Sequence, residues 1–479
     1  MTGRRTVIRA SHIVAFQEGG HRYLQDGMIV IEGNTIAHVG RQYAGPADET
    51  IDATGKIVTP GLISCHAHLA GSPLDKSFIE DVGPRNFYLS GLFEMLPTRA
   101  AAQDEEATSA CIDFSMAELI STGCTTAVEL GGCSDYTVQR AGECGLRLYI
   151  GPSFRSGRWF TPDGKTVQYD WDEAAGEQGL RQAIAFIEKH QGAYADRIRG
   201  ILSPAQVDTC TAELLQQAKA ASERMGIPLT LHTSQSVNEF QEMTRRYGLT
   251  PIEWLRDIGF LGPRTLLGHA IIVGGSSWAN YPADDIKILA DTGTSVAHAT
   301  WVFVRRGIAM ESFGRYLRAG VNMALGTDTC PQSMLEAMKF AAVITKIVDR
   351  QTEFTTAADA FNAATLGGAR ALGRDDLGRI APGAKADVVI WDTETLSMAP
   401  VRDPIKNIVY NAQSHDVETV IIDGRVVMRD RQIPGVDARR LARHLQAAGE
   451  RMWAAMSRVD RLGRAADGLS PQLYPSFQT

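Results

Sequence analysis

A chain of 479 residues exceeds what one small core needs, and its 44% hydrophobic and 22% charged residues are those of an ordinary globular enzyme. The formal net charge of −7 is mild for that length and gives no polybasic face, which argues against nucleic acid or an anionic membrane as a partner. No stretch approaches the ~18 uninterrupted apolar residues of a membrane helix, and Val7 to His12 is too short and polar for a signal-peptide core, so the expected compartment is the cytoplasm.

Residues 6 to 56 read as short β-strands, among them Met28 to Ile31, which resumes as Thr35 to Val39 across the turn dipeptide Gly33-Asn34. An apolar strand from Ile57 then leads through Gly61 into Cys65-His66-Ala67-His68-Leu69. From Pro60 to Gly373, strands alternate with amphipathic helical stretches. The strands are Thr125 to Leu130, Leu146 to Ile150, Ile198 to Leu202, Pro228 to His232, Thr265 to His269, Thr294 to His298 and Asn322 to Asp328. With the His66 strand they make eight, as in a (β/α)8 barrel with insertions. Strand material returns at Ala386 to Trp391 and in the hairpin about Asp423-Gly424. The expected fold is therefore α/β: a TIM-type barrel over 59–375 and a small composite β-sandwich from 1–58 plus 376–435. A C-terminal helix and tail cover 436–479, with Leu441, Leu445, Ala448, Met452 and Met456 as an apolar stripe behind Asp437 as cap. The seven cysteines are scattered, lack a Cys-x-x-Cys, and read as thiols of a reducing compartment.

Residues i and i+2 of a strand share a face, so His66 and His68 can converge on one point, and neutral imidazoles suit a metal such as Zn²⁺. A lone His-x-His is more often a surface pair, and a lone core histidine is more often structural. Here His232, His269, His298 and Asp328 each end a proposed barrel strand, where barrel enzymes carry their chemistry. That shared position is hard to obtain from packing alone.

With these motifs the chain resembles the amidohydrolase superfamily, in its atrazine/triazine hydrolase and cytosine-deaminase-like branch. The resemblance rests on Pro60 to His68, on Leu267-Gly268-His269-Ala270, on Leu325-Gly326-Thr327-Asp328-Thr329 and on Gly378 to Ile390. It implies one divalent metal ion on His66, His68, His232 and Asp328, with zinc the first choice and manganese, cobalt or iron(II) as alternatives. His269 would stand beside the metal's water to polarise a carbonyl or orient the nucleophile, and Asp328 would act as general base. Two-metal relatives carry a carbamylated lysine at the end of the fourth strand; Arg199 to Gln206 holds no lysine, which favours one metal.

Two departures from that branch bear on substrate. Deaminases of the group place a proton-shuttling glutamate three residues after the fifth-strand histidine, where this chain has Gln235. An amide binds but does not relay a proton, and only Glu239 or His298 could replace the missing acid. After His298 the chain reads Ala299-Thr300-Trp301-Val302-Phe303-Val304-Arg305-Arg306, which offers Trp301 and Phe303 as an aromatic wall. Loop aromatics including Phe87 and Trp159 suggest an apolar lid, and Arg155, Arg158, Arg305 and Arg306 suit either an anionic substrate or surface ion pairs.

These features favour a hydrolase that cleaves the C–N bond of an amide, urea or (thio)carbamate by attack of metal-bound hydroxide on the carbonyl, similar to the phenylurea and molinate-type hydrolases. Gln235, His298, Trp301, Phe303, Phe87 and Trp159 would bind a small, apolar or aromatic substrate. The alternative is an aminohydrolase or chlorohydrolase of a purine, pyrimidine or s-triazine ring. A metal-free scaffold is a third and weaker reading, because every expected ligand position is filled. The apolar tail helix also suggests a homo-oligomer.

Overall fold

The structure, a computed structural model, describes residues 4–82 and 91–477. Its strands in chain order are β1 (Arg5–Gln17), β2 (Gly20–Glu32), β3 (Thr35–Gly40), β4 (Glu49–Pro60), β5 (Leu62–Ala67), β6 (Cys124–Gly131), β7 (Arg147–Phe154), β8 (Gly157–Phe160) and β9 (Gln168–Trp171). They continue with β10 (Ile198–Gly200), β11 (Ser203–Pro204), β12 (Leu229–Thr233), β13 (Thr265–His269), β14 (Ser295–His298), β15 (Met323–Leu325), β16 (Val388–Trp391), β17 (Val417–Ile422) and β18 (Arg425–Met428).

Both chain ends meet in one seven-stranded sheet of order β18-β17-β16-β4-β1-β2-β3. The hairpin turns fall where the dipeptides direct them: β2 meets β3 at Glu32 and Thr35, and β17 meets β18 at Ile422 and Arg425 across Asp423 (φ 53°) and Gly424 (φ 75°). One face buries Ile8, Ile13, Ile29 and Ile36 from the N-terminal strands with Val388, Ile390 and Ile421 from the C-terminal ones. Neither end would bury this face without the other.

The apolar run from Ile57 is not one strand but two. Ile57 to Pro60 pair with β16 in the terminal sheet, and the chain then crosses at Gly61 into β5 of a second, parallel sheet. Gly61 is needed at the crossing, since a Cβ there would lie 2.1 Å from Thr125 Oγ1.

Parallel pairing runs β5-β6-β7-β10, with β11 also on β7, and a separate run is β12-β13-β14-β15. Parallel bridges Leu202–Leu229 and Gln206–His232 join the end of the first run to β12. A further bridge, Ala67–Asp328, joins the end of the second run back to β5. Helices lie between the strands, and side-chain N-caps such as Asp104, Ser134, Thr211 and Ser236 start them. Arg147, fully buried on β7, ties the parallel layer to the terminal sheet through Asp387 Oδ1 at 3.1 Å and Asp423 Oδ1 at 3.3 Å.

The C-terminal helix Ala438–Val459 packs Ala448, Met452 and Met456 onto Leu74, Phe78, Met95 and Cys111. The stripe's Ala448, Met452 and Met456 are thus covered within the chain, while Leu441 and Leu445 are only partly buried. Phe78 and Met95 are buried in this cluster and anchor their loops to the helix. All seven cysteines are free thiols. No helix among the described residues is long and apolar enough to cross a membrane.

Candidate metal centre and active site

The centre is assembled where the strands end. His66 lies on β5 and His68 just beyond it; β12 supplies His232, β13 ends in His269, and Asp328 follows β15. The His66 and His68 rings, two residues apart, stand 5.1 Å apart and nearly perpendicular. His66 is boxed by two glycines: a Cβ on Gly268 would lie 2.6 Å from its Nδ1, and one on Gly326 would lie 2.6 Å from its Cβ. The glycines of the Leu-Gly-His-Ala and Leu-Gly-Thr-Asp-Thr motifs are therefore clearance for His66 on a different strand.

The backbone bends to present these side chains. Asp328 adopts φ +58°, held by its amide donating to His66 O and its carbonyl accepting from His68 N–H, both at 2.8 Å. Ser234 (φ +56°) and Ala270 (φ +51°) turn the chain after His232 and His269. Left-handed non-glycine residues at three strand ends are strain of the kind that gathers at functional sites.

The nitrogen and oxygen atoms are spaced as the donors of a metal site are. His68 Nε2 and His232 Nε2 are 3.1 Å apart, and Asp328 lies 3.6 Å from His68 Nε2 through Oδ1 and from His269 Nε2 through Oδ2. Ligands ~2.0–2.1 Å from zinc in a tetrahedron sit ~3.3–3.5 Å from one another. Two donor groups form, His66 with His232 and His269, and His66 with His68 and Asp328. Both ring nitrogens of His66 and of His269 are buried without a hydrogen-bond partner, a state that an ion or its water relieves. The second ring nitrogens of two candidate ligands are fixed by main-chain carbonyls: His68 Nδ1 on Leu130 O and His232 Nδ1 on Ala205 O, each at 2.7 Å. Burial first, then neighbouring imidazoles, pushes His66, His232 and His269 well below the usual histidine range, which keeps them neutral and able to ligate.

A cavity of about 450 Å³ opens over these atoms, lined by His68, His232, His269 and Asp328 together with Gln235 and Phe303. Phe303 sets its ring 4.6 Å from that of His269. Gln235 donates through Nε2 to Gln206 Oε1. Glu239 lies behind the turn, where its carboxylate accepts from the amides of Ser234 and Gln235. It therefore holds the loop and does not face the cavity.

Other expected substrate contacts fall elsewhere among the described residues. Trp301 turns its ring to Phe340 at 4.6 Å and does not line the cavity. A helical turn at Thr300–Val304 points positions 301 and 303 to different sides. Trp159 packs on Phe93 at 5.0 Å and donates to Asp208 Oδ2 at 2.8 Å, which makes it an anchor of its loop. His298 is buried just below the cavity residues, its pKa lowered to about 3 by burial, and it too is absent from the lining. Phe87 lies outside the described residues.

Three lining residues, Glu129, Asp75 and Arg99, carried no strong sequence signal, whereas Arg306 was among the arginines suited to an anionic substrate. Glu129, on β6, accepts from Leu69 N–H at 2.6 Å, while its Oε1 is buried and unpartnered. Burial raises its carboxyl to about 8. A glutamate in the apolar run Thr125 to Leu130 was the available clue. Asp75 and Arg99, 2.9 Å apart, form an ion pair in the cavity wall, and Arg306 enters beside Phe303.

The Amidohydrolase family model matches residues 57–427. The chain is 31% identical over 439 residues to the 5'-deoxyadenosine deaminase of Methanothermobacter thermautotrophicus, covering 89% of this chain and 94% of that one. It is 30% identical over 461 residues to the 5-methylthioadenosine/S-adenosylhomocysteine deaminase of Desulforudis audaxviator, covering 94% and 99%. In structure it is similar to an adenosine deaminase from Xanthomonas campestris with bound zinc, at TM-score 0.80 and 21% identity, covering 94% and 99% of the two chains. It is equally similar to a mutant atrazine chlorohydrolase from Arthrobacter aurescens TC1 complexed with zinc and atraton, at TM-score 0.80 and 23% identity, covering 93% and 100%.

Proposed function

The chain belongs to the amidohydrolase family, and on that premise we propose that it is a metal-dependent aminohydrolase that removes an exocyclic amine from a nitrogen heterocycle. The observation that carries this reading is its end-to-end similarity, at about 30% identity, to deaminases of adenine nucleosides. The relatives thus favour ring deamination over the amide, urea and carbamate hydrolysis that the sequence pattern suggests.

His66, His68, His232 and Asp328 would hold one ion, and His269 would stand at its open side. When bound, the ion supplies water of lowered pKa and a Lewis-acidic charge. Asp328 is placed to accept a proton from the nucleophile and return it to the leaving nitrogen. His269, kept neutral by burial, donates or accepts one hydrogen bond at the reacting centre. The ring nitrogen needs a proton as the amine leaves. Gln235 cannot supply it, and Glu239 and His298 do not reach the cavity. Glu129 lines the cavity, holds a proton at neutral pH and has a free Oε1, so we assign it that part. In this reading the two parallel runs form one (β/α)8 barrel over 59–375, and the terminal sheet, from 1–58 and 376–435, forms the small composite domain.

A second reading keeps one specific observation: Gln235 presents an amide to the cavity where this reaction class needs a carboxyl. Hydrolysis of an amide, urea or (thio)carbamate needs no such acid, because the attacked carbonyl carries its own oxyanion. The deciding experiment offers metal-loaded protein 5'-deoxyadenosine, guanine, an amino-s-triazine, a phenylurea, an N-aryl carbamate, a thiocarbamate and an anilide. Ammonia released from a ring compound is the expected result. Amine released from the carbonyl compounds, with no ring turnover, overturns the first reading and establishes the second.

A further inference from the structure

The charged groups of the cavity wall are nearly all accounted for. Asp75 pairs with Arg99, which also donates to Gln103 Oε1 at 2.8 Å; Glu129 holds Leu69 N–H; Asp328 faces the histidines. Arg305, next in chain to Arg306, pairs with Glu80 at 2.6 Å and donates to Thr329 Oγ1 at 3.1 Å. Arg306 has no such close partner among the described residues, and the Asp328 and Asp75 carboxylates act on it only from farther away. Its Nε and Nη2 are shielded from solvent, make no hydrogen bond among the described residues, and belong to a side chain that lines the cavity. A guanidinium with two buried, unsatisfied donors is costly to keep unless something binds it. Arg155 is a second unpaired cation of the lining, but it is exposed, and water can satisfy it.

Position narrows what would bind. Arg306 N–H donates to Phe303 O at 2.9 Å, so the two residues are one turn apart, with their Cβ atoms ~5–6 Å from each other. Phe303 in turn packs edge-on against His269. Along one wall the cavity offers a reacting centre, then an apolar ring, then an unpaired planar cation. Guanidinium's fork of N–H donors matches a carboxylate with two parallel hydrogen bonds.

We propose that Arg306 binds a carboxylate of the substrate, so that the site takes a molecule whose anionic group is separated from the reacting C–N bond by an apolar or aromatic body. This rests on the reading of the cavity as the substrate site. It gives a carboxylate-bearing substrate an advantage over uncharged nucleosides and uncharged aryl ureas, which the same site can still turn over more weakly.

The test uses full-length, zinc-loaded protein and two probes of equal size and opposite character, benzoate and benzamide, titrated by calorimetry. Benzoate is expected to bind at least tenfold tighter than benzamide. In Arg306→Met that preference falls below twofold, and Arg306→Lys restores part of it; Arg306→Gln serves if the methionine variant does not fold. Zinc content and melting temperature are measured on each variant. Equal binding of the two probes to the unmodified protein overturns the proposal. So does a benzoate preference that survives Arg306→Met, which would place the carboxylate on the metal. Because neither probe is turned over, failure of ring deamination in the substrate panel leaves this result standing and removes only the deaminase reading.

Discussion

The amide of Asp328 donates to the carbonyl of His66 at 2.8 Å, so the first and last chemical groups of the site are fixed to each other through the main chain. The same contact holds Asp328 at φ +58°, a conformation that asparagine and aspartate tolerate better than other side chains. Asp328→Asn is therefore a clean test of chemistry, whereas an alanine there would add strain. Turnover should fall by roughly 10²–10⁴-fold with the melting temperature within a few degrees of the parent. Substantial remaining activity would remove Asp328 from the proton-transfer role.

Gly268→Ala tests whether the motif glycines make room for the metal ligand. The added methyl would meet the His66 ring at 2.6 Å, and β13 cannot move aside without shifting His269. The expected results are a loss of stability of about 1–3 kcal/mol and a metal content well below that of the parent. Full metal occupancy at an unchanged melting temperature would show that the ring has room to turn.

Much of this centre was legible because parallel strands of α/β folds carry their chemistry at one end: His66, His68, His232, His269 and Asp328 each stand where an apolar run stops. The glycines beside the histidines were visible as motif letters, but their purpose depends on which strands are neighbours, and only the parallel pairing reveals that. Lining residues were harder. Trp301 and Phe303 look alike in sequence, yet a helical turn sends one to Phe340 and the other to His269. Glu129 stayed hidden, and Arg306 could not be told from Arg305, because charge in a strand or loop says nothing about whether a partner is waiting. Arg305 found Glu80, and Arg306 found none so close among the described residues.

Gln235→Glu separates the two functional readings. The new carboxylate would face Gln206 Oε1, where the amide now donates, and Gln206 can answer by turning its own amide over. If ring deamination is the reaction, a second acid in the cavity should raise its rate at least tenfold. On carbonyl substrates the change should be under threefold. A large gain confined to the carbonyl substrates would contradict both assignments.

Two buried glutamates should behave in opposite ways. Glu239→Gln leaves the amides of Ser234 and Gln235 poorly satisfied and should lower stability by about 1–3 kcal/mol, while the pH profile of kcat keeps its shape. Glu129→Gln should do little to the shape of the cavity but remove the limb of that profile due to a group titrating near 8. An unchanged profile in Glu129→Gln would return the source of the ring proton to open question and weaken the deaminase reading.

Beside the buried histidines of the site, a histidine far from it should contribute its own share of acid sensitivity to the fold. His21 joins the β1–β2 turn to Thr365 Oγ1 at 3.0 Å, and burial, followed by the nearby Arg379 cation, lowers its pKa to about 4. The folded protein thus resists protonating His21 at pH values where the unfolded chain, with a pKa of about 6.5, takes the proton readily. Above pH 6.5 both states are neutral, and His21 has no effect on the pH dependence. Between about 6.5 and 4 the unfolded chain gains the proton first, so stability falls as pH falls, by on the order of 1 kcal/mol at pH 5.5. Calorimetric melting of His21→Asn, which keeps a hydrogen-bonding group without titrating, should show a smaller loss of stability between pH 7 and 5.5 than the parent. Parallel pH profiles for the two proteins would mean that His21 is protonated in the fold as easily as outside it.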